Sequence, residues 1–347
     1  MGSDLTGLAL DLPNSLGKKA AQAMPLRMDW SADPSGANMA LDVALGTQAK
    51  ARFLHRKKDL KGPYFYAGAV GVGQSPVIPP AGLSIDLRHP VVDVDLWNDV
   101  IDEFSKPLLS QAAERKRPLF SDVQQFRLQS GQVRYDGAKL DDVTFTARQP
   151  EPLRWRLDIS SSQTAGTVFW REASGKIAGQ VDAKFERLAL GADQGQTTGA
   201  DPGSATATAP DTTDQAGDDI SRLEDYFDIP AINLQVNKLK LYGRDVGRLS
   251  VEGVNQTRGE LWKLNKLSVT SPAVQVAGTG LWRLRGPDRG LTLDAQAKIS
   301  DMGEYFDQIN FKNVLSGGQG TIKGQFEWRN LPWKYKKSDL NGKLEVE

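Results

Sequence analysis

Two histidines, His55 and His89, are the side chains in this 347-residue chain best suited to acid–base chemistry near neutral pH. A histidine base needs a carboxylate to orient it, and neither sits in a motif that supplies one. His55 lies in the basic run Arg52-Phe53-Leu54-His55-Arg56-Lys57-Lys58, and His89 precedes Pro90. Both are read as surface residues at strand ends. Cysteine is absent, which removes thiol catalysis, disulfides and the usual zinc sites and suits an oxidising compartment. Gly71-Val72-Gly73 and Gly317-Gly318-Gln319-Gly320 lack the spacing of a phosphate-cradling loop, so they are read as strand bends or turns. Asp141-Asp142 and Asp218-Asp219 lack the alternating oxygen ligands of a calcium loop and are read as turn or cap residues. The basic run Arg115-Lys116-Arg117 follows a helical pattern; a favourable charge at a helix C-terminus accounts for it more simply than contact with anionic head groups. The tryptophans are read as strand packing, with ligand-stacking platforms as the alternative. No catalytic constellation, cofactor site or metal site is expected, and the chain is read as non-enzymatic.

Charge agrees with this. Lysine and arginine total 43 and aspartate and glutamate 43, so no global field attracts nucleic acid or an anionic membrane. No run of about 18 apolar residues could cross a bilayer as a helix, and no signal-peptide pattern opens the chain. Met1-Gly2-Ser3 leads straight into strand-like sequence, and Lys343-Leu344-Glu345-Val346-Glu347 stops inside an alternating pattern. The chain is therefore read as a piece of something longer.

The elements that would position any site are strands. Met39, Leu41, Val43 and Leu45 alternate with Asn38, Ala40, Asp42 and Ala44. The same period of two runs through Leu153, Trp155, Leu157 and Ile159, through Ile232, Leu234 and Val236, and through Leu291, Leu293, Ala295, Ala297 and Ile299. Successive side chains of a strand point to opposite faces, so each segment has one apolar and one wet face. Antiparallel sheets use that pattern. Turns are expected at Ser130-Gly131, Asp136-Gly137 and Asn341-Gly342. Three short helices are predicted: residues 95–112, starting at Asp93 or Asp95, with Leu96, Trp97, Ile101 and Phe104 towards the sheet; 219–227; and 302–309, opened by the capping pair Asp301 and Glu304, with Met302, Tyr305, Phe306 and Ile309 towards the sheet.

Residues 191–218 contain no large apolar side chain and are expected to form a disordered linker or loop. This divides the chain into β modules at 1–120, 121–190 and 219–347. A weak internal repeat of about 107 residues is visible: Tyr135 matches Tyr242, and Trp155 matches Trp262. A G-x-x-x-W pattern occurs three times, as Gly166/Trp170, Gly278/Trp282 and Gly324/Trp328.

The segment from Asp228-Ile229-Pro230 through Leu234-Gln235-Val236-Asn237-Lys238-Leu239, with Gly247-Arg248-Leu249-Ser250-Val251 after it, resembles a stretch of the YhdP family of AsmA-like proteins. So do Val276-Ala277-Gly278-Thr279-Gly280-Leu281-Trp282, the run Ser316-Gly317-Gly318-Gln319-Gly320 leading to Trp328 and Pro332-Trp333, and Leu5-Thr6-Gly7-Leu8-Ala9-Leu10-Asp11-Leu12-Pro13. The resemblance covers most of the chain and is most specific over 228–333. It implies a long protein anchored in the inner membrane of Gram-negative bacteria. Its periplasmic part would be a curled β-sheet whose apolar groove carries phospholipids between inner and outer membranes.

The expected fold is therefore all-β: an elongated, curled antiparallel sheet forming an apolar groove, with a few short helices. The groove is assigned to Met39, Leu41, Val43, Leu45, Ile232, Leu234, Val236, Leu291 and Leu293, the cleanest alternating runs. The expected partners are phospholipid acyl chains, with both membranes engaged by segments outside this chain, and no nucleic acid. The alternatives are a structural β module with a filled core, an outer-membrane barrel and, last, an enzyme.

Overall fold

The computed structural model describes residues 1–13, 17–32, 38–57, 62–98, 118–135, 138–191, 229–286, 288–308, 316–328 and 340–347. The alternating runs form strands, except that Leu153 falls in the turn before Arg154, and the architecture is all-β: eighteen strands with two short helical segments among the described residues. Two compact units divide the chain, Met1–Ala165 and Gly166–Glu347.

The first unit contains β1 (Gly2–Ser3), β2 (Leu26–Ala32), β3 (Asn38–Leu45), β4 (Ala49–Arg56), β5 (Ala67–Val72), β6 (Gly82–Asp93), β7 (Val123–Tyr135), β8 (Ala138–Glu151) and β9 (Arg154–Ser160). Each pairs with the next in sequence order. The second unit contains β10 (Ala165–Arg171, all but its first residue), β11 (Gln180–Leu190), β12 (Ala231–Leu241), β13 (Arg244–Thr257), β14 (Leu261–Thr270), β15 (Val274–Arg283), β16 (Gly290–Ile299), β17 (Gly320–Trp328) and β18 (Leu340–Val346). Here too neighbours in sequence pair, from β11 to β18. β10 lies beside β11, where Arg171 Nη2 donates to Gln180 Oε1 at 3.3 Å.

Most pairs are antiparallel, as the one-sided alternation implies. Among the pairs described by register, three are parallel: β5–β6, β6–β7 and β11–β12. A parallel neighbour requires the chain to cross back over the sheet, and two of these junctions carry the long connections 94–122 and 191–230. The connection across β6–β7 begins with a helix at 94–98, capped by Asp93, whose Oδ1 accepts the Leu96 amide at 3.3 Å. Trp97 packs on the cluster of Val92, Leu128, Val133 and Val143, as expected of a sheet-facing residue. Leu96 does not; it is 51% exposed, because the helix turns that side to solvent. Ile101 and Phe104 lie outside the described residues, as does the predicted helix at 219–227. The last helix is Met302–Gln308, and Asp301 Oδ1 accepts the Glu304 amide at 2.9 Å. Met302 and Tyr305 are half-buried; the Phe306 side chain and Ile309 lie outside the described residues.

Two expected turns are strand interior instead. Gly131 lies within β7 and Gly342 within β18. The sheet uses glycine there for close strand approach: a Cβ at Gly131 would come within 3.1 Å of the Pro90 carbonyl oxygen, and one at Gly342 within 2.7 Å of the Gln325 carbonyl oxygen. Asp136-Gly137 lies outside the described residues, as does the predicted linker beyond Gly191. Parallel ladders span positions 120 and 190.

The 107-residue repeat has a structural counterpart. A parallel pair followed by a long hairpin and a third strand occurs as β6–β7–β8–β9 and again as β11–β12–β13–β14. Trp155 and Trp262 each stand second in the third strand.

Candidate functional site

Register decides which side chains share a face, because directly paired residues point the same way. In the first unit, Met39, Leu41, Val43 and Leu45 of β3 pair with Ala32, Trp30, Met28 and Leu26 of β2, and with His55, Phe53, Ala51 and Ala49 of β4. The same face continues through Val70 and Val72, Ile85 and Leu87, Phe126 and Leu128, then Phe145 and Ala147. All four predicted β3 residues are therefore brought together, and each is half-buried.

Sequence reasoning missed the aromatic cluster on this face. Phe65, only 4% exposed, stacks on Trp30 with ring centroids 6.0 Å apart and lies 5.4 Å from Phe53 and 5.5 Å from Phe120. Phe65 and Phe120 precede β5 and β7 and meet in an isolated parallel bridge. They are far apart in sequence and belong to no alternating run, so periodicity does not reveal them. His55 belongs to the same surroundings, which corrects its reading as a surface residue: it is 9% exposed, its Nδ1 lies 2.6 Å from the Tyr64 carbonyl oxygen, and its ring stacks on Tyr64 at 4.1 Å. Its place in the alternation, two residues beyond Phe53, was the signal, masked by the flanking charges.

In the second unit, Ile232, Leu234 and Val236 of β12 pair with Val181, Ala183 and Phe185 of β11 and with Gly253, Val251 and Leu249 of β13. Across β14 to β17, three successive rows follow on one face. Trp262, Trp282, Leu291 and Trp328 form the first; Leu264, Gly280, Leu293 and Phe326 the second; Leu267, Gly278, Ala295 and Gly324 the third. This gives the G-x-x-x-W pattern of β15 and β17 its physical meaning. Residues four apart on a strand share a face, so Gly278 and Gly324 flank Ala295 while Trp282 and Trp328 flank Leu291. The result is a low strip of small side chains beside a tall aromatic row. The Phe326 ring leans over Gly324, where a Cβ would meet it at 2.8 Å.

The face is not uniformly open. Trp262 and Trp282 are 6% and 8% exposed, and their rings meet edge to face at 6.5 Å. Ile232, Leu291 and Leu293 pack against this cluster, and Trp262 Nε1 donates to the Pro230 carbonyl at 2.9 Å. Val236 is 0% exposed. Leu234, like Ala295, is half-buried. The predicted residues thus divide into a closed stretch around the tryptophans, a closed point at Val236, and a more accessible stretch between them.

The opposite face carries the charge. Arg52 pairs with Asp42 at 3.5 Å, Lys266 with Glu252 at 3.2 Å, and Gln325 Nε2 donates to Asp294 Oδ1 at 3.1 Å. The apolar rows hold no acid–base pair, and among the described residues no group of three or more histidine, aspartate or glutamate side chains could hold a metal ion. Nor is any described helix long and apolar enough to cross a membrane.

The sequence pattern of the family described as YhdP protein matches residues 1–347. The chain belongs to the YhdP family. No curated protein matches it, and neither does any solved structure. YhdP-family membership fits an AsmA-like role in lipid transport and a location in the cell envelope.

Proposed function

We propose that this chain is a lipid-binding segment of a periplasmic conduit that carries phospholipids between the inner and outer membranes, within a full-length protein anchored to the inner membrane. The observation that carries the reading is one-sidedness held across successive strands: row after row of apolar side chains on one face of each unit, and the ion pairs of the strands on the other. Acyl chains need only apolar surface, worth roughly 25 cal/mol per Å² removed from water, and no catalytic group. The chain acts without enzymatic chemistry and without a cofactor.

A second reading, a structural β module with a filled core, is favoured locally by the packing of Ile232, Leu291 and Leu293 on the Trp262–Trp282 cluster and by the burial of Val236. Native mass spectrometry of the purified chain separates the two. The conduit reading expects adducts with phospholipid masses, which detergent exchange removes. A spectrum of bare protein from lipid-replete cells, with the fold intact, refutes it.

A further inference from the structure

The face opposite the apolar rows holds a buried carboxylate that the lipid reading does not use. Asp86 of β6 is 2% exposed, beneath the 73–81 connection: the Val77 amide lies 3.5 Å from its Oδ2 and the Ser84 hydroxyl 3.4 Å. Removing a carboxylate from water is expensive unless it is firmly paired. Its partner is Arg127 of β7, whose Nε donates to Asp86 Oδ1 at 2.5 Å. That single bond engages one edge of the guanidinium and fixes its plane. The other edge, Nη1 and Nη2, has no partner among the described residues. Arg127 lines a cavity of about 180 Å³ together with Asp86, Ser75, Gln129, Thr144 and Thr146. Register places Gln129 beside Thr144 and Arg127 beside Thr146 on this face. The acidic neighbour Asp158, paired with Thr146 across β8 and β9, is neutralised by Arg156 at 3.0 Å.

We infer that this cavity is an oxyanion site that takes a phosphate or phosphate monoester, held on the free edge of Arg127 with the Thr144 and Thr146 hydroxyls and the Gln129 amide as further donors. A planar guanidinium edge matches two oxygens of a phosphate. Donors from three further side chains suit a tetrahedral anion with more than two oxygens better than a carboxylate. Because Asp86 cancels the charge of Arg127, selection comes from hydrogen-bond geometry rather than from net field. Asp86 is a positioning residue. The site lies on the face away from the acyl-chain surface, so it stands or falls independently of lipid carriage.

Calorimetric titration of the purified chain with inorganic phosphate, at ionic strength matched with chloride, tests it. Saturable binding is expected. Thr146→Val, which keeps the ion pair, should weaken it about tenfold. Arg127→Gln combined with Asp86→Asn, which leaves no stranded charge, should abolish it while circular dichroism stays unchanged. Arg148→Gln, on the same face but outside the cavity, should leave it intact. Flotation with phosphatidylcholine vesicles containing phosphatidic acid identifies the source: capture that free phosphate competes away marks a lipid phosphate, and phosphate binding without capture marks a soluble one. Absence of saturable heat, or equal loss in the Arg148 and Arg127 variants, overturns the site.

Discussion

Val236→Asp tests whether the apolar face of the second unit is open along its whole length. Val236 is 0% exposed, between Phe185 and Leu249 on the neighbouring strands. Aspartate there forfeits the valine's burial, about 2 kcal/mol, and strands a polar group without a partner, about 3 kcal/mol more. The total of about 5 kcal/mol approaches the whole stability of many domains. With a urea dependence of about 2.5 kcal/mol per M, the unfolding midpoint should fall by about 2 M. Leu234→Asp, two residues away on the same face but half-buried, is the comparison. Its carboxylate can reach water, so it should cost well under half as much while lowering recovered lipid. Urea titration followed by circular dichroism, with lipid extraction from each variant, reads both quantities. A Val236→Asp chain with an unchanged midpoint would refute the claim that this point of the face is closed, and would return Val236 to the open groove.

Two further outcomes follow from the same geometry. Ala295→Trp places a large ring on the low strip beside Gly278 and Gly324; the fold should persist, because the position is half-buried, and phospholipid adducts in the native mass spectrum should fall at least severalfold, an unchanged lipid load counting against an acyl path over that strip. Trp282→Ala removes half of the edge-to-face pair with Trp262 and should cost about 3–5 kcal/mol in chemical denaturation, whereas a loss below about 1 kcal/mol would show that the cluster is not core.

Which residues share a face is legible in the sequence because alternation is a local property. A strand's backbone sends successive side chains to opposite faces whatever it pairs with, so Met39 to Leu45, Ile232 to Val236 and Leu291 to Leu293 could each be assigned to one face from their own residues. What each face meets could not. His55 looks solvent-exposed among Arg52, Arg56 and Lys57, and only the arrival of Tyr64 and Phe65 encloses it. The tryptophans pack as expected where Trp262 and Trp282 meet, but Trp170 is 41% exposed.

Residue order alone specifies the class of the fold, the two-sided character of its strands and, through runs such as 228–239 and 276–282, the family. These follow from a period of two and from recognisable runs. The tertiary structure decided everything that depends on chain separation. The parallel junctions β5–β6, β6–β7 and β11–β12 arise where a connection crosses the sheet, which no local pattern records. Asp86 and Arg127 meet across 41 residues, and Phe65 reaches Phe120 across 55. Whether an apolar residue stays half-buried, as Ala295 does, or is fully buried, as Val236 is, is set by what the rest of the chain lays over it. Burial is a property of the assembled sheet, and alternation specifies only the direction in which each side chain points.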